Sequence, residues 1–278
     1  MTDFLLTLAK FAPFDIVCSA QCRGRNEFKI KAHQSRMRAF SCASKSISMN
    51  SEEQLSLFDT PTAPVVSQPE LIPTDAKIPI LPGTYTDMTE LAQHCNHCYR
   101  CPLGATRNHA VVGKGDLKAP IMIVGEAPGQ NEDETGLPFV GKAGQLLDKI
   151  LASVGLNAKE DAYVCNIIKC RPPSNRVPTT EEVAACKPYI LEQIRLVDPQ
   201  VILLTGATAV KGLTGNKTGI TKIRGTWIEW EGRLCMPILH PAYLLRNASR
   251  EQGSPKWLMW QDIQLVKAKI DELGDASS

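Results

Sequence analysis

Ala119-Pro-Ile-Met-Ile-Val-Gly-Glu-Ala-Pro-Gly129 joins an apolar run of strand length to a turn built from glycine and proline. A strand buried on both faces has this look, because a parallel sheet covered by helices leaves no alternation of polar and apolar positions. Three further runs share the pattern: Ala162 to Ile168, Gln200 to Thr205 and Leu234 to Leu239. Helical spacing fills the intervals. Ala143 to Val154 repeats Leu146, Leu147, Ile150 and Leu151 on one face, and Thr180 to Val197 follows a Thr-x-x-Glu or Thr-x-Glu cap. A last helix over Trp257 to Leu273 closes the pattern. Strands separated by helices predict an α/β fold with a short, mostly parallel sheet and helices on both faces. Ligands of such sheets bind beyond the carboxyl ends of the strands. The segments from Gly125, Asn166 and His240 onward occupy that position.

The chain has 278 residues, 43% apolar and 22% charged, enough for one core plus tails. The best candidate for a membrane segment, Phe4 to Phe14, is short and broken by Lys10 and Pro13. It also opens with Asp3 rather than positive charge, which argues against a secretory signal and for an intracellular, cytoplasmic protein. The net charge is +2; residues 1–48 carry eight Lys and Arg against three acids, so residues 49–278 sum to −3. Broad electrostatic attraction to nucleic acid is thereby excluded. Contacts to phosphates must come from clusters such as Lys169, Arg171 and Arg176, or Arg246, Arg250 and Lys256.

Residues 1–48 lack periodicity and are expected to be a disordered or targeting extension, or untranslated sequence upstream of a start at Met49. Residues 49–87, rich in Pro, Ser, Thr and acids, are expected to be a flexible tail or linker. A single domain is expected over 88–273, followed by a tail over 274–278. Within the linker, Gln54-Leu-Ser-Leu-Phe58 places Leu55, Leu57 and Phe58 in a polar context with no local core to join. It resembles the Gln-Leu-x-Leu-Phe peptide by which bacterial repair and replication proteins dock on the sliding clamp.

Ten cysteines in a chain read as intracellular point to metal or redox chemistry rather than disulfides. Cys98-x-x-Cys101 lets two thiolates of one turn share a metal centre, and Cys170 and Cys186 would staple a strand-end loop and a helix to it. Zinc and an iron–sulfur cluster both suit four thiolates. Cys95-x-x-Cys98 is an equally good pair, while Cys165 and Cys235 lie in apolar runs and read as core. Gly136-Leu-Pro-Phe-Val-Gly141-Lys142 has the spacing of a phosphate-binding loop, but Ala143 stands where the magnesium-binding hydroxyl belongs and no strand immediately precedes it. There is likewise no G-x-G-x-x-G opening a helix.

Four segments together carry a family resemblance: Gly125 to Asp133, Gly136 to Gly144, Asn166-Ile-Ile-Lys-Cys-Arg-Pro-Pro173 and His240-Pro-Ala-Tyr-Leu-Leu-Arg-Asn247. The chain resembles the family 4 uracil-DNA glycosylases from about residue 92 to residue 271. The resemblance implies a three-layer αβα sandwich, hydrolytic excision of uracil from DNA, and a [4Fe-4S] cluster. By motif position the cluster ligands are Cys98, Cys101, Cys170 and Cys186, with Cys95 as an extra.

Cleaving the bond between deoxyribose C1′ and uracil N1 passes through a cationic sugar and a departing base anion, after the nucleotide has left the stack. Phe139 is expected to stack on the base. Asn166 can donate to O4 and accept from N3–H, a pattern cytosine cannot meet. A neutral His240 would donate to O2, assisted by backbone N–H groups of the Gly125 to Gly129 turn, including that of Ala127. Glu126 is expected to position water or stabilise the cation, and Glu132 to shape the pocket near C5. Leu244, Leu245 and Arg246 are expected to enter the duplex and meet a phosphate. A monomer acting on uracil-containing DNA follows. The competing expectations are a non-catalytic cluster-bearing scaffold and the uracil-crosslinking branch of the superfamily. The latter needs a histidine that Arg171 to Thr179 lacks.

Overall fold

The structure, a computed structural model, describes residues 78–276. The expected extension over 1–48, most of the linker and the Gln54 to Phe58 peptide lie outside the described residues.

Helix α1 (Met88–Asn96) starts at Asp87, whose carboxylate accepts from the backbone N–H groups of Thr89 (2.7 Å) and Glu90 (2.9 Å). Strands β1 (Lys114–Gly115) and β2 (Ile121–Gly125) lead to helices α2 (Gln130–Thr135) and α3 (Lys142–Ala152), then to β3 (Ala162–Asn166) and α4 (Thr180–Val197). Next come β4 (Val201–Thr205), α5 (Ala207–Thr214), α6 (Ile220–Ile223), β5 (Ile228–Trp230), β6 (Arg233–Ile238), α7 (Pro241–Arg246) and α8 (Pro255–Ala276).

These strands form one sheet in the order β1-β3-β2-β4-β6-β5. Strands β3, β2, β4 and β6 run parallel, while β1 and β5 are antiparallel edges. Every residue of β2, β3 and β4 is buried. The pleat sends Met122 and Val124 to one face, where they meet Ile190 and Ile194 of α4 and Val210 and Leu213 of α5. Ile121 and Ile123 point to the other face and pack with Leu147 and Leu151 of α3 and Met259 and Ile263 of α8. This is the three-layer αβα sandwich, with all four anticipated strands at its centre. Helix α4 begins with a reciprocal cap: the Thr179 hydroxyl accepts from the Glu182 N–H, and the Glu182 carboxylate accepts from the Thr179 N–H.

Residues ahead of α1 pack onto the domain. The N–H groups of Gly83 and Tyr85 donate to the Glu192 carboxylate at 2.9 and 3.2 Å, and Arg195 donates to the Tyr85 carbonyl. Tyr85 is buried against His94 and Tyr189. Its ring anchors a segment whose prolines and glycine look like linker. At the other end α8 runs to Ala276, past the expected limit of 273. No helix among the described residues is long and apolar enough to cross a membrane.

Candidate active site and thiol cavity

The carboxyl ends of β2, β3 and β6 bring Glu126, Asn166 and His240 to one edge of the sheet, and the loop between α2 and α3 lays Phe139 beside them. Gly125 makes this convergence possible. A Cβ on it would lie 2.3 Å from Asn166 Oδ1 and 2.7 Å from Phe139 Cζ, so amide and ring close over the same point. Asn166 is 2% exposed, yet its side-chain amide has no hydrogen-bond partner among the described residues.

Phe139 adopts a positive φ of 51°, a conformation bulky residues avoid. One close approach and three hydrogen bonds hold it there. Its carbonyl sits where a side chain on Gly144 would clash, at 1.8 Å from the would-be Cβ, and accepts from Lys114 Nζ at 3.1 Å. The next two N–H groups, of Val140 and Gly141, both donate to Glu132 Oε1 at 2.9 Å.

Glu132 therefore departs from its expected role. Its other oxygen accepts from the Gly129 N–H at 3.1 Å, so the carboxylate clamps two loops instead of lining the pocket beside a base. The same bond removes Gly129 from the expected set of turn donors. Pro128 has no N–H, which leaves Ala127 with an N–H unpaired among the described residues. The Glu126 carboxylate has no hydrogen bond or ion pair among the described residues, and its carbonyl accepts from the Ile168 N–H.

His240 caps α7, and its Nδ1 accepts from the Ala242 N–H at 3.1 Å. That bond requires an unprotonated Nδ1, so the proton of the neutral ring sits on Nε2. Burial, reinforced by the Arg246 charge, pushes the imidazole down to about 4. The ring lies 6.2 Å from that of Phe139, tilted by 28°.

Helix α7 separates two residues that the sequence treats alike. Leu244 is 1% exposed and packs in the core with α3 and α8, whereas Leu245 is 45% exposed, flanked by exposed Arg246 and, two residues back, exposed Tyr243. Adjacent helix positions lie about 100° apart, so only one of the two leucines can face out. Leu244 is therefore excluded from contact with DNA. The basic cluster expected at 169–176 also dissolves: Lys169 is buried, Arg176 grips the Glu182 carboxylate at 2.7 and 2.8 Å, and Arg171 bonds the Asn175 side chain.

On the other side of the segment 166–170, Cys95, Cys98, Cys101, Cys170 and Cys186 line one recess, together with Arg100, Lys169 and Tyr189. No three His, Cys, Asp or Glu side chains among the described residues are grouped to hold a single ion. The sulfurs are instead distributed around the wall. Donors reach four of them. The Arg100 N–H approaches Cys98 Sγ at 3.5 Å and Arg107 Nη1 approaches Cys170 Sγ at 3.5 Å. Backbone N–H groups of Leu103 and Gly104 face the Cys101 sulfur, and that of Lys169 faces Cys186. Cys95 lies in the same wall, fully buried, with only desolvation and neighbouring charges acting on it. Burial pushes the Cys170 thiol up to about 11 and Cys186 to about 12. Cys165 and Cys235 are core residues, as expected.

Sequence reasoning passed over Lys114, the Lys169–Gln193 contact, and Asp133, whose buried carboxylate accepts from Asn108 N–H (2.9 Å) and Nδ2 (3.0 Å). No local pattern marks these, since each partner is distant in sequence.

The family model described as "Uracil DNA glycosylase superfamily" matches residues 112–264. The type-4 uracil-DNA glycosylase of Thermotoga maritima is 45% identical over 189 residues, covering 67% of this chain and 96% of that protein. That of Pyrobaculum aerophilum is 42% identical, covering 58% and 86%. A type-5 uracil-DNA glycosylase of the same organism is 30% identical, covering 60% and 87%. With more than half of the chain matched by the superfamily model and nearly the whole of a type-4 relative aligned, the chain belongs to the type-4 uracil-DNA glycosylase family.

Proposed function

We propose that the protein is a DNA repair hydrolase that excises uracil from DNA, leaving an abasic site. The carrying observation is the side-chain amide of Asn166, without a hydrogen-bond partner among the described residues, closing with the Phe139 ring over Gly125. A flipped uracil stacks on Phe139, donates its N3–H to Asn166 Oδ1 and accepts from Nδ2 at O4. Cytosine would leave both amide groups facing like groups, which costs more than a missing contact. His240 donates Nε2–H to O2 as the base departs, and the neutral ring stabilises the developing anion without first having to lose a proton. The Ala127 N–H, unpaired among the described residues, serves as a second donor. Glu126, without a hydrogen bond or ion pair among the described residues, positions the attacking water or stabilises the sugar cation. Outside the pocket, Leu245 with Tyr243 fills the vacated stack and Arg246 meets a phosphate.

Cys98, Cys101, Cys170 and Cys186, the four sulfurs with donors, would hold a [4Fe-4S] cluster. Distribution of the sulfurs around a recess suits one thiolate per iron better than four on one zinc. The cluster would supply no step of hydrolysis; it would tie the segment after Asn166 to the turn that follows α1 and to α4. Cys95 is the surplus thiol. The protein acts as a monomer in the compartment that holds DNA, the bacterial cytosol, and residues 54–58 dock it on the sliding clamp. Loss of clamp binding on replacing Leu57 and Phe58 by Ala tests the docking peptide.

Single-uracil, thymine and cytosine oligonucleotides, scored for alkali-labile breaks, test the activity. Breaks confined to uracil are expected. No break by protein carrying its full iron complement would leave the non-catalytic scaffold as the better account.

A further inference from the structure

Lys169 is 2% exposed, and no carboxylate pairs with it among the described residues. Its Nζ donates to the Asn166 main-chain carbonyl at 2.6 Å and to Gln193 Oε1. Gln193 is itself completely buried, and its Nε2 donates to the Val112 carbonyl at 2.9 Å and the Tyr163 hydroxyl oxygen at 3.2 Å. These bonds settle the orientation of the amide: its oxygen can only face Lys169. Both bonds from the ammonium thus go to neutral oxygens. A cation in that setting needs a counter-charge. The anionic candidates around it are sulfurs, since Lys169 lines the recess of Cys95, Cys98, Cys101, Cys170 and Cys186 and its own N–H faces Cys186.

We infer that Lys169 is a positioning residue joining the two sites: its ammonium balances the negative charge of the thiolate-bound cluster while its hydrogen bond to the Asn166 carbonyl holds the base-reading amide in place. The inference rests on the reading of both sites given above. Four thiolates bound to the cluster would make a net anion beside Lys169, so the loaded recess would hold its side chain against the Asn166 carbonyl. An empty recess leaves the ammonium uncompensated, and the Asn166 anchor slackens. The cluster then contributes to recognition of uracil without taking part in its chemistry.

The test uses the full chain purified anaerobically, as wild type, Lys169→Met and Lys169→Arg. The readouts are iron content, the midpoint potential of the cluster, and equilibrium binding of an oligonucleotide carrying a non-hydrolysable 2′-fluoro-deoxyuridine against its thymine counterpart. Lys169→Met is expected to lower the potential, because a positive charge that favoured the added electron is gone. It is also expected to weaken binding of the uracil analogue by about tenfold with thymine binding unmoved. Lys169→Arg is expected to restore the potential. A Lys169→Met protein with wild-type iron and only one readout moved, or neither, overturns the inference. Should Lys169→Met not fold, Lys169→Arg decides. A wild-type potential with weaker analogue binding supports the coupling, and a shifted potential or unmoved binding rejects it. Wild-type protein that lacks iron, or binds both oligonucleotides alike, refutes the parent reading instead.

Discussion

The base pocket and the thiol recess lie on opposite sides of Asn166-Ile-Ile-Lys-Cys170, and they treat their polar groups in opposite ways. In the pocket the Asn166 amide and the Glu126 carboxylate have no internal partner among the described residues, while everything behind them is tied down. In the recess N–H groups face four sulfurs, but burial disfavours the thiolates of Cys101, Cys170 and Cys186. Unpaired hydrogen-bonding groups held rigidly suit a visitor that comes and goes, whereas thiols gathered in a buried recess suit a resident metal centre. One site is built for exchange and the other for permanence.

The sharpest way to break this contrast is Cys170→Ala. Removing a ligand is expected to lose the iron and much of the stability of the domain together, seen as a lower melting temperature and a bleached visible spectrum. Intact iron and unchanged melting would place Cys170 outside the resident site. Next in size, Asn166→Ala and His240→Ala are each expected to lower single-turnover excision by about 10² to 10³, the scale for removing one donor to a developing charge. Iron content should stay at the wild-type level in both.

The two leucines of α7 divide stability from function. Leu244→Ala is expected to cost about 2–5 kcal/mol in denaturant unfolding, as for a fully buried side chain. Leu245→Ala should leave unfolding unchanged and reduce excision from duplex more than from single-stranded DNA. Equal unfolding losses in the two variants would contradict their opposite burial.

The smallest effect concerns pH. With His240 at about 4 in the folded protein and about 6.5 unfolded, the unfolded chain takes up the proton first as pH falls. This group therefore adds its full stabilisation above pH 6.5 and loses up to about 3 kcal/mol between there and pH 4. Excision should show no inflection near 6.5 from this residue. Arg246→Ala should raise the imidazole value slightly and weaken binding to DNA in a salt-dependent manner.

Much of this arrangement was legible in the chain. Continuous apolar runs marked the four parallel strands; the C-x-x-C spacing marked Cys95, Cys98 and Cys101, and motif position marked Cys170 and Cys186, before any geometry was known. The edge strands β1 and β5 were not legible, because two and three residues carry no period and their pairing comes from the neighbour strand. Nor was the fate of Glu132, whose carboxylate finds donors eight and nine residues away in a loop that only Phe139's conformation brings near.

Sequence alone determined the layered architecture and the chemical identity of the pocket and recess side chains, since periodicity and residue type are local properties. Tertiary structure decided which side chains are free to act. It buried Leu244 and exposed Leu245, turned Lys169 from a surface cation into an interior one, and assigned the single proton of His240 to Nε2. Burial and hydrogen-bond partnership depend on groups remote in the chain, and no pattern of neighbours encodes them.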